Sequence, residues 1–443
     1  MPIHDARRSR LMCLVDGALA ACAPQPVIRT ALNLAGDLLT IGDVVYDLNR
    51  YDRIVVIGAG KASAAMAEAL KDVLGDRFDG GLIVTKYGHG LDIPGCRILE
   101  SGHPVPDSEG EMAARELLGL AGKVGARDLV FFLLSGGASA LIPSPRPPVT
   151  LADKMAATKL LLACGATIHE INAIRKHLSQ IKGGFFAKAL EPATVVTLII
   201  SDVVGDNLDV IGSGPTAPDS STFGDCLEII ARFGLTARMP TTVMQMLEAG
   251  AAGLISETTK DSDVCFGQVC NHIIASNRAA VQGAAREAER MGYRPHILPA
   301  AMVGEARETA AQLAQVAREH ARGERVCILA GGETTVTIQG SGLGGRNQEL
   351  ALALGLELER RPASSPVSVL CLGTDGSDGP TDAAGGFMLP DTMARARAMN
   401  LHPETYLANN DSYHFLKQAG TLLVTGPTRT NVMDIAALLI EKE

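Results

Sequence analysis

The stretch Asp128-Leu129-Val130-Phe131-Phe132-Leu133-Leu134 does most to limit what this chain can fold into. Six apolar residues follow one another without alternation, and such a strand needs cover on both faces. Residues 195–201 repeat the pattern, and 54–57 lead from an apolar run straight into a glycine turn. Shorter strands are expected at 81–85 and 97–99, with helices at 9–22, 27–34, 64–74, 112–120 and 151–164 between or before them. From about residue 265 the alternation restarts: strands at 272–276, 294–298, 326–330, 367–373 and 422–425, with helices at 278–291 and 305–321. A short alternating run at 335–339 adds a further strand candidate. Apolar strands separated by helices indicate βαβ units and a parallel sheet. A chain of 443 residues exceeds one ordinary core. The expectation is α/β, with domains at 1–262 and 263–443.

Composition removes several classes of function. Lys and Arg number 40 against 49 Asp and Glu, a net charge of −9 without a long basic run, which argues against a general nucleic-acid binder. The nine cysteines contain no C-x-x-C pair and the ten histidines no H-E-x-x-H, so reduced thiols in the cytoplasm and no zinc-protease site are expected. No run reaches the roughly 18 apolar residues of a membrane span. Leu19-Ala20-Ala21-Cys22 resembles a lipoprotein cleavage box, but Asp16 interrupts the apolar stretch before it. An amphipathic first helix is the better reading. The 47 glycines exceed the usual share of about 7% and point to many backbone-lined loops.

Those loops fall where chemistry is expected. Gly58-Ala59-Gly60-Lys61, Ser135-Gly136-Gly137, Gly331-Gly332 and Gly373-Thr374-Asp375-Gly376 each follow a strand, and open α/β sheets bind ligands beyond such strand ends. Four glycines lie between 340 and 345, and a helix begins at Asn347, so backbone N–H groups there suit an anion, with Arg346 at the mouth. A tight glycine turn with a surface arginine is the plainer alternative. Gly58–Ala59–Gly60 invites a dinucleotide reading, yet Ser63 takes the third glycine position and the next strand ends in Lys86, not an acid. Nor is it a P-loop, since Val55 and Ala62 occupy required positions. What survives is Lys61 at a helix start, either a phosphate point charge or a solvated lysine. Ser135 and Ser139 suit oxyanion donors or helix caps, and Leu141 breaks a nucleophile elbow. Arg175, Ser179 and Lys182 share a helical face that can grip phosphate or simply face water. Asp202, Asp206, Asp375, Asp378 and Asp382 sit at turns, offering oxygens for Mg²⁺ or ordinary turn caps.

Taken together, these motifs resemble the class II glycerate kinase family. The resemblance is carried by Gly58-Ala-Gly-Lys-Ala-Ser63, Leu134-Ser-Gly-Gly-Ala-Ser-Ala-Leu141, Arg175-Lys-His-Leu-Ser179 with Lys182-Gly-Gly184, Ser201-Asp-Val-Val-Gly-Asp206 and Gly212-Ser-Gly-Pro-Thr216. It continues through Gly331-Gly-Glu-Thr-Thr-Val336, Gly344-Gly-Arg-Asn-Gln-Glu349, the run from Gly373 to Gly385, Asn409-Asn-Asp-Ser-Tyr413 and Thr425-Gly-Pro-Thr428 with Thr430-Asn-Val432. It covers the chain from the first helix to about Leu439, and the C-terminal part resembles the MOFRL domain.

The resemblance implies two three-layer α/β/α domains, a Rossmann-like, mostly parallel one and a mixed-sheet one containing MOFRL, with the active site in the cleft between them. It implies ATP- and Mg²⁺-dependent phosphorylation of D-glycerate at the 2-hydroxyl, giving 2-phosphoglycerate and ADP. Lys61 and Arg346 fall on the family's catalytic basic positions, expected to hold the phosphoryl group and the glycerate carboxylate. Asp206 and Asp375 are expected in catalysis and Asp202 and Asp378 at the metal, with either member of the pairs Asp202/Asp206 and Asp375/Asp378 able to exchange roles. Gly58, Gly60, Ser135, Gly136, Gly137, Ser139, Arg175, Lys182, Glu333, Asn347 and Asn410 are expected to line substrate or phosphate. Phe185 stands where a basic residue is common, and Leu343 and Arg429 replace residues that are usually Arg and Gly. The rivals are an NAD(P)H-dependent hydroxypyruvate reductase, which the failed dinucleotide fingerprint disfavours, and a non-catalytic anion sensor. A cytoplasmic monomer or homodimer, without nucleic-acid or membrane partners, completes the expectation.

Overall fold

Two Gly-Asp dipeptides shape the first structure after the opening helices. Gly36 and Gly42, both at left-handed φ, turn the chain into a meander of β1 (Leu32–Ala35), β2 (Leu38–Ile41) and β3 (Val44–Asp47). Such dipeptides are hairpin signals that a four-residue strand does not otherwise advertise. The helix expected over 27–34 therefore runs Pro24–Ala31 and gives way to a strand at Leu32. The computed structural model describes residues 3–321 and 323–442. It divides into two units, Val27–Ile274 and Met1–Pro26 together with Ala275–Glu443.

In the unit Val27–Ile274, the main sheet contains β4 (Arg53–Ala59), β5 (Gly81–Lys86), β6 (Cys96–Ser101), β7 (Asp128–Ser135), β8 (Thr194–Ile200) and β9 (Val269–Ala275). Their order is β6-β5-β4-β7-β8-β9, and the pairings from β6 through β8 are all parallel. All eight residues of β7 are buried, as its unbroken apolar run requires. Val130, Phe132 and Leu134 join one core cluster, where Phe132 meets Phe186 edge-to-face at 5.1 Å. A second apolar cluster gathers the helices Leu151–Ala163, Ile168–His177, Phe223–Arg232 and Thr241–Ala251. The first three begin in capping boxes, Thr150 with Asp153, Thr167 with Glu170 and Thr222 with Asp225, which satisfy orphan donors of each first turn.

In the other unit, the sheet comprises β10 (Arg294–Ile297), β11 (Val326–Gly332), β12 (Val367–Gly373), β13 (Gly385–Met388), β14 (Leu422–Leu423) and β15 (Asp434–Ile440). The order is β10-β11-β15-β12-β13-β14, and only the β10–β11 pairing is parallel. The last strand thus enters the middle of the sheet, with every residue buried. The sequence reading has no strand there, because Asp-Ile-Ala-Ala-Leu-Leu-Ile is rich in good helix formers. Conversely, the alternating run at 335–339 forms no strand beyond a bridge from Thr335 to Glu305. The expected restart at 272–276 is β9, which belongs to the first sheet, while the first helix, Ile3–Cys22, belongs with the C-terminal unit. Two glycines explain that attachment: a Cβ on Gly283 would lie 2.2 Å from the Gly17 carbonyl oxygen, so this helix and Asn277–Arg290 meet backbone to backbone.

Candidate functional site

The carboxyl ends of β4 and β7 are sewn together. Gly60, at φ +138°, brings its α-carbon so near Ser135 that a Cβ would fall 2.1 Å from Oγ and 2.5 Å from the carbonyl oxygen. Ser135 Oγ accepts from Ala62 N at 3.0 Å, and Lys61 N donates to the Gly136 oxygen at 2.9 Å. Ser63 is buried and donates to Leu133 O at 2.9 Å. At Gly58, a Cβ would press on Ile83 and on Leu133 O, so Gly58, Gly60 and Ser135 pack the two loops closely on each other. Lys61 is half-buried beside Gly137, whose missing Cβ makes room for Lys61 Cγ and for His103. Nothing in the sequence singles out His103.

Beyond Gly137, Ser139 gathers two cations. Lys182 Nζ donates to its carbonyl oxygen at 2.9 Å and its Oγ at 2.8 Å, and Arg175 Nη2 donates to the same Oγ. Ser213 spends its proton on Asn172 Oδ1 at 3.1 Å, so Ser139, 3.0 Å away, donates to Ser213. The chain of hydrogen bonds therefore has one direction, away from the cations. Burial holds Lys182 well below the ordinary lysine range, with Lys154 and Arg175 pushing the same way, and burial also lowers Arg175. Lys154 and Asn172 escape a reading of the sequence because neither stands in a glycine turn, and Ser213 shows only as part of a motif.

The row of Arg175, Ser179 and Lys182 is thus not the water-facing one that its charges allow. Ser179 Oγ accepts from Ile181 N and Lys182 N, and the neighbouring Lys176 is buried between Asp209 and Asp219, at 2.9 and 3.2 Å, so both are structural. Phe185 lies under the Arg146 guanidinium at 5.2 Å.

Asp202 and Asp206 follow β8, whose Ile200 pairs in register with Ser135, so they start from the same sheet edge. Both are half-buried, and Asp206 sits at φ +55° in a turn closed by its N–H to Val203 O at 3.1 Å.

In the other unit, Arg346 opens the helix Arg346–Arg360 and is gripped by two acids. Asp434, at the start of β15, takes Nε and Nη2, and Glu333, just after β11, takes Nη1 at 2.6 Å. Burial works against the guanidinium charge, but these partners outweigh it and hold the group protonated, while burial raises Asp434. Asp378, expected at the metal, is engaged as a helix cap. Its Oδ1 accepts from Asn347 N at 3.1 Å and its Oδ2 from Gln348 N and Nε2 at 2.8 and 3.0 Å, which caps the helix. Burial lifts its pKa to about 6. Asn347 is buried, its Nδ2 turned to Asp378. Asp375 accepts from Ser377 N and Oγ in a local turn.

The glycine loop differs most from expectation. Its backbone donors face inward: Gln339 N and Gly340 N bond Asn410 Oδ1, Ser341 N bonds Asn409 Oδ1, and Leu343 N bonds Asp411 Oδ1, all at 2.8–3.0 Å. A Cβ on Gly340 or Gly342 would lie 2.3 or 2.4 Å from residues 409 and 411. The glycines therefore serve a loop-to-loop contact, and Asn410, expected at the substrate, is its clamp.

A domain of unknown function (DUF4147) matches residues 10–248, and the MOFRL family matches residues 326–434. Over 433 residues, 96% of each chain, this protein is 38% identical to the glycerate 2-kinase of Pyrococcus horikoshii. It is 42% identical over 395 residues to the D-glycerate 2-kinase of Thermotoga maritima, covering 88% of this chain and 91% of that one. The chain belongs to the glycerate 2-kinase family. A crystal structure of the Thermotoga maritima glycerate kinase superposes with a TM-score of 0.84 at 37% identity, covering 99% of this chain and 100% of that one.

Membership in the glycerate kinases explains two sequence departures physically. Arg429, where the resemblance leads one to expect glycine, sits at φ +63°, a conformation glycine adopts without strain. Leu343 is engaged through its backbone, donating to Asp411 and accepting from Tyr413 N at 2.9 Å, so the fold of the loop does not depend on its side chain. At the third fingerprint position, the buried Ser63 side chain fills the space that a glycine would leave beside β7.

Proposed function

We propose that this chain is an ATP- and Mg²⁺-dependent glycerate 2-kinase that converts D-glycerate to 2-phosphoglycerate with release of ADP. The observation that carries the reading is similarity along nearly the whole chain to proteins named for that reaction. The cations support it, because phosphoryl transfer asks a protein mainly for positioning and for stabilising charge on oxygens. In this reading, the 2-hydroxyl oxygen attacks the γ-phosphorus, its proton passes to Asp206, and the bond from phosphorus to the ADP oxygen breaks. Lys61 supplies a positive point charge to the phosphoryl oxygens, and Arg346, oriented by Asp434 and Glu333, presents its planar edge to an anionic oxygen. Asp375 keeps a supporting place in the turn after β12.

Mg²⁺ commonly takes one or two carboxylates and completes its shell with water and phosphate oxygens. The half-buried Asp202, at the turn after β8, is the carboxylate proposed for that role, and Asp378 also accepts from the first donors of its helix. A bound Mg²⁺ would neutralise charge on the nucleotide phosphates. The cytoplasm is the compartment proposed, in keeping with nine free cysteines. Among the described residues, no single helix is long and apolar enough to cross a membrane.

The test is a coupled assay with D-glycerate, ATP and Mg²⁺ in which product is passed directly to enolase. Signal without phosphoglycerate mutase is expected. A requirement for the mutase would move the phosphate to the 3-position, and absence of ADP would sink the kinase reading.

A further inference from the structure

Lys154 is a buried lysine without a counter-charge. It lies on the helix Leu151–Ala163, is 6% exposed, and its Nζ has no hydrogen-bond partner among the described residues. The charged groups facing it are Arg175, on the helix Ile168–His177, and Lys182, in the turn that follows. Both are cations. Arg175 and Lys182 spend only part of their donors on Ser139, since a guanidinium has five N–H groups and an ammonium three. Ser139 and Arg175 are themselves only partly buried, so the cluster has a face that a solute can reach.

Gathering three basic groups without an acid is costly, because charging each of them unpaired in the interior costs several kcal/mol, and both lysines are accordingly held below the ordinary lysine range. The same unit neutralises its structural lysine fully: Lys176, 3% exposed, sits between Asp209 and Asp219. The contrast marks the Lys154 cluster as built for a charge that arrives from outside. We propose that Lys154 is the third arm of an oxyanion site completed by Arg175 and Lys182. The same donors suit the carboxylate of D-glycerate and a phosphate of the nucleotide, so the inference rests on the kinase reading for its two candidate ligands. Burial moves Lys154 down to about 7, with Arg175 adding to the effect, so an arriving anion would draw a proton onto it.

The experiment is titration calorimetry of D-glycerate and, separately, ADP against the full chain and Lys154→Met at pH 6 and pH 8.5. One of the two affinities is expected to fall at least about tenfold in the variant, with the other held within about twofold. Loss on glycerate identifies the carboxylate site, and loss on ADP the phosphate site. The wild-type affinity for that ligand should also drop toward pH 8.5 relative to the variant, which a packing role would not produce. Unchanged affinity for both ligands in a variant that melts normally overturns the proposal. Should Lys154→Met fail to fold, Lys154→Gln carries the same comparison. A wild type that forms no ADP yet loses inorganic-phosphate binding on Lys154 substitution would remove the kinase reading and leave the anion site standing.

Discussion

Arg346 and Asp434 form a two-point ion pair, Nε to Oδ2 at 2.5 Å and Nη2 to Oδ1 at 3.0 Å. Asp434 begins the central strand β15 and is 1% exposed, so the arginine at the mouth of the helix is fixed to the buried middle of its sheet. Lysine cannot copy that fork, because its ammonium is a point charge on a flexible stem. Arg346→Lys should therefore lower kcat more than tenfold while the melting temperature shifts by only a few degrees. Asp434→Asn should lower kcat as well, though Arg346 itself is unchanged. Wild-type kcat in both variants would remove Arg346 from the reaction.

Asp378 makes a prediction about stability and pH. Its folded pKa of about 6 lies above the roughly 3.9 of an unfolded aspartate. Between these values the folded chain holds a proton that the unfolded chain has lost, so stability from this group is full below about pH 4 and is lost as pH rises through 6. Asp434 is raised in the same direction, so the Asp378 share must be isolated by substitution. Denaturant unfolding at pH 4.5, 5.5 and 6.5 should show the wild type losing up to about 1.4 kcal/mol per pH unit more than Asp378→Asn. Parallel curves would contradict the burial argument.

Gly60 tests whether the first turn is a phosphate cradle or a structural seam. An added Cβ would strike both Ser135 Oγ and its carbonyl oxygen, and the φ of +138° is itself unfavourable for an L side chain. Gly60→Ala should destabilise by more than about 3 kcal/mol, at the severe end for single substitutions. Because the carbonyl clash persists, Ser135→Ala should not rescue it in the double variant. Rescue would show that only the hydroxyl is in the way.

The strands β4, β7 and β8 are legible in the sequence because their runs of apolar residues admit no one-sided solution. The strand β15 is not, since Ala436, Ala437, Leu438 and Leu439 suit a helix equally well and only burial between β11 and β12 decides. Residues in glycine turns are visible in the sequence, and within the unit Val27–Ile274 Arg175 and Lys182 do converge on Ser139. Lys154 is invisible because its place in a helix looks like that of any surface lysine. The roles of Asp378 and Asn410 mislead for a related reason: a side chain that caps a loop or helix shares its residue type with one that binds a ligand, and only its partners tell them apart.

Asn410 provides the last test, because it serves two kinds of partner at once. Its Oδ1 accepts from Gln339 N at 2.8 Å and Gly340 N at 3.0 Å, while its Nδ2 donates to Glu349 Oε2 at 3.0 Å. Asn410→Asp keeps both acceptor bonds but sets a second carboxylate against Glu349, whose other oxygen is already paired with Arg307 at 2.7 Å. Asn410→Ala loses these bonds, together with a longer one from Nδ2 to Thr337 O at 3.4 Å, and forces alanine to φ +53°. Each unmet buried bond costs about 1–3 kcal/mol, so both variants should be destabilised, and Asn410→Ala should speed amide exchange across residues 339–343 specifically. The aspartate variant should recover stability as pH falls and one carboxylate takes up a proton, whereas the alanine variant should not. Equal pH dependence in the two would mean that Asn410 acts through its backbone conformation alone, and the clamp assigned to its side chain would be wrong.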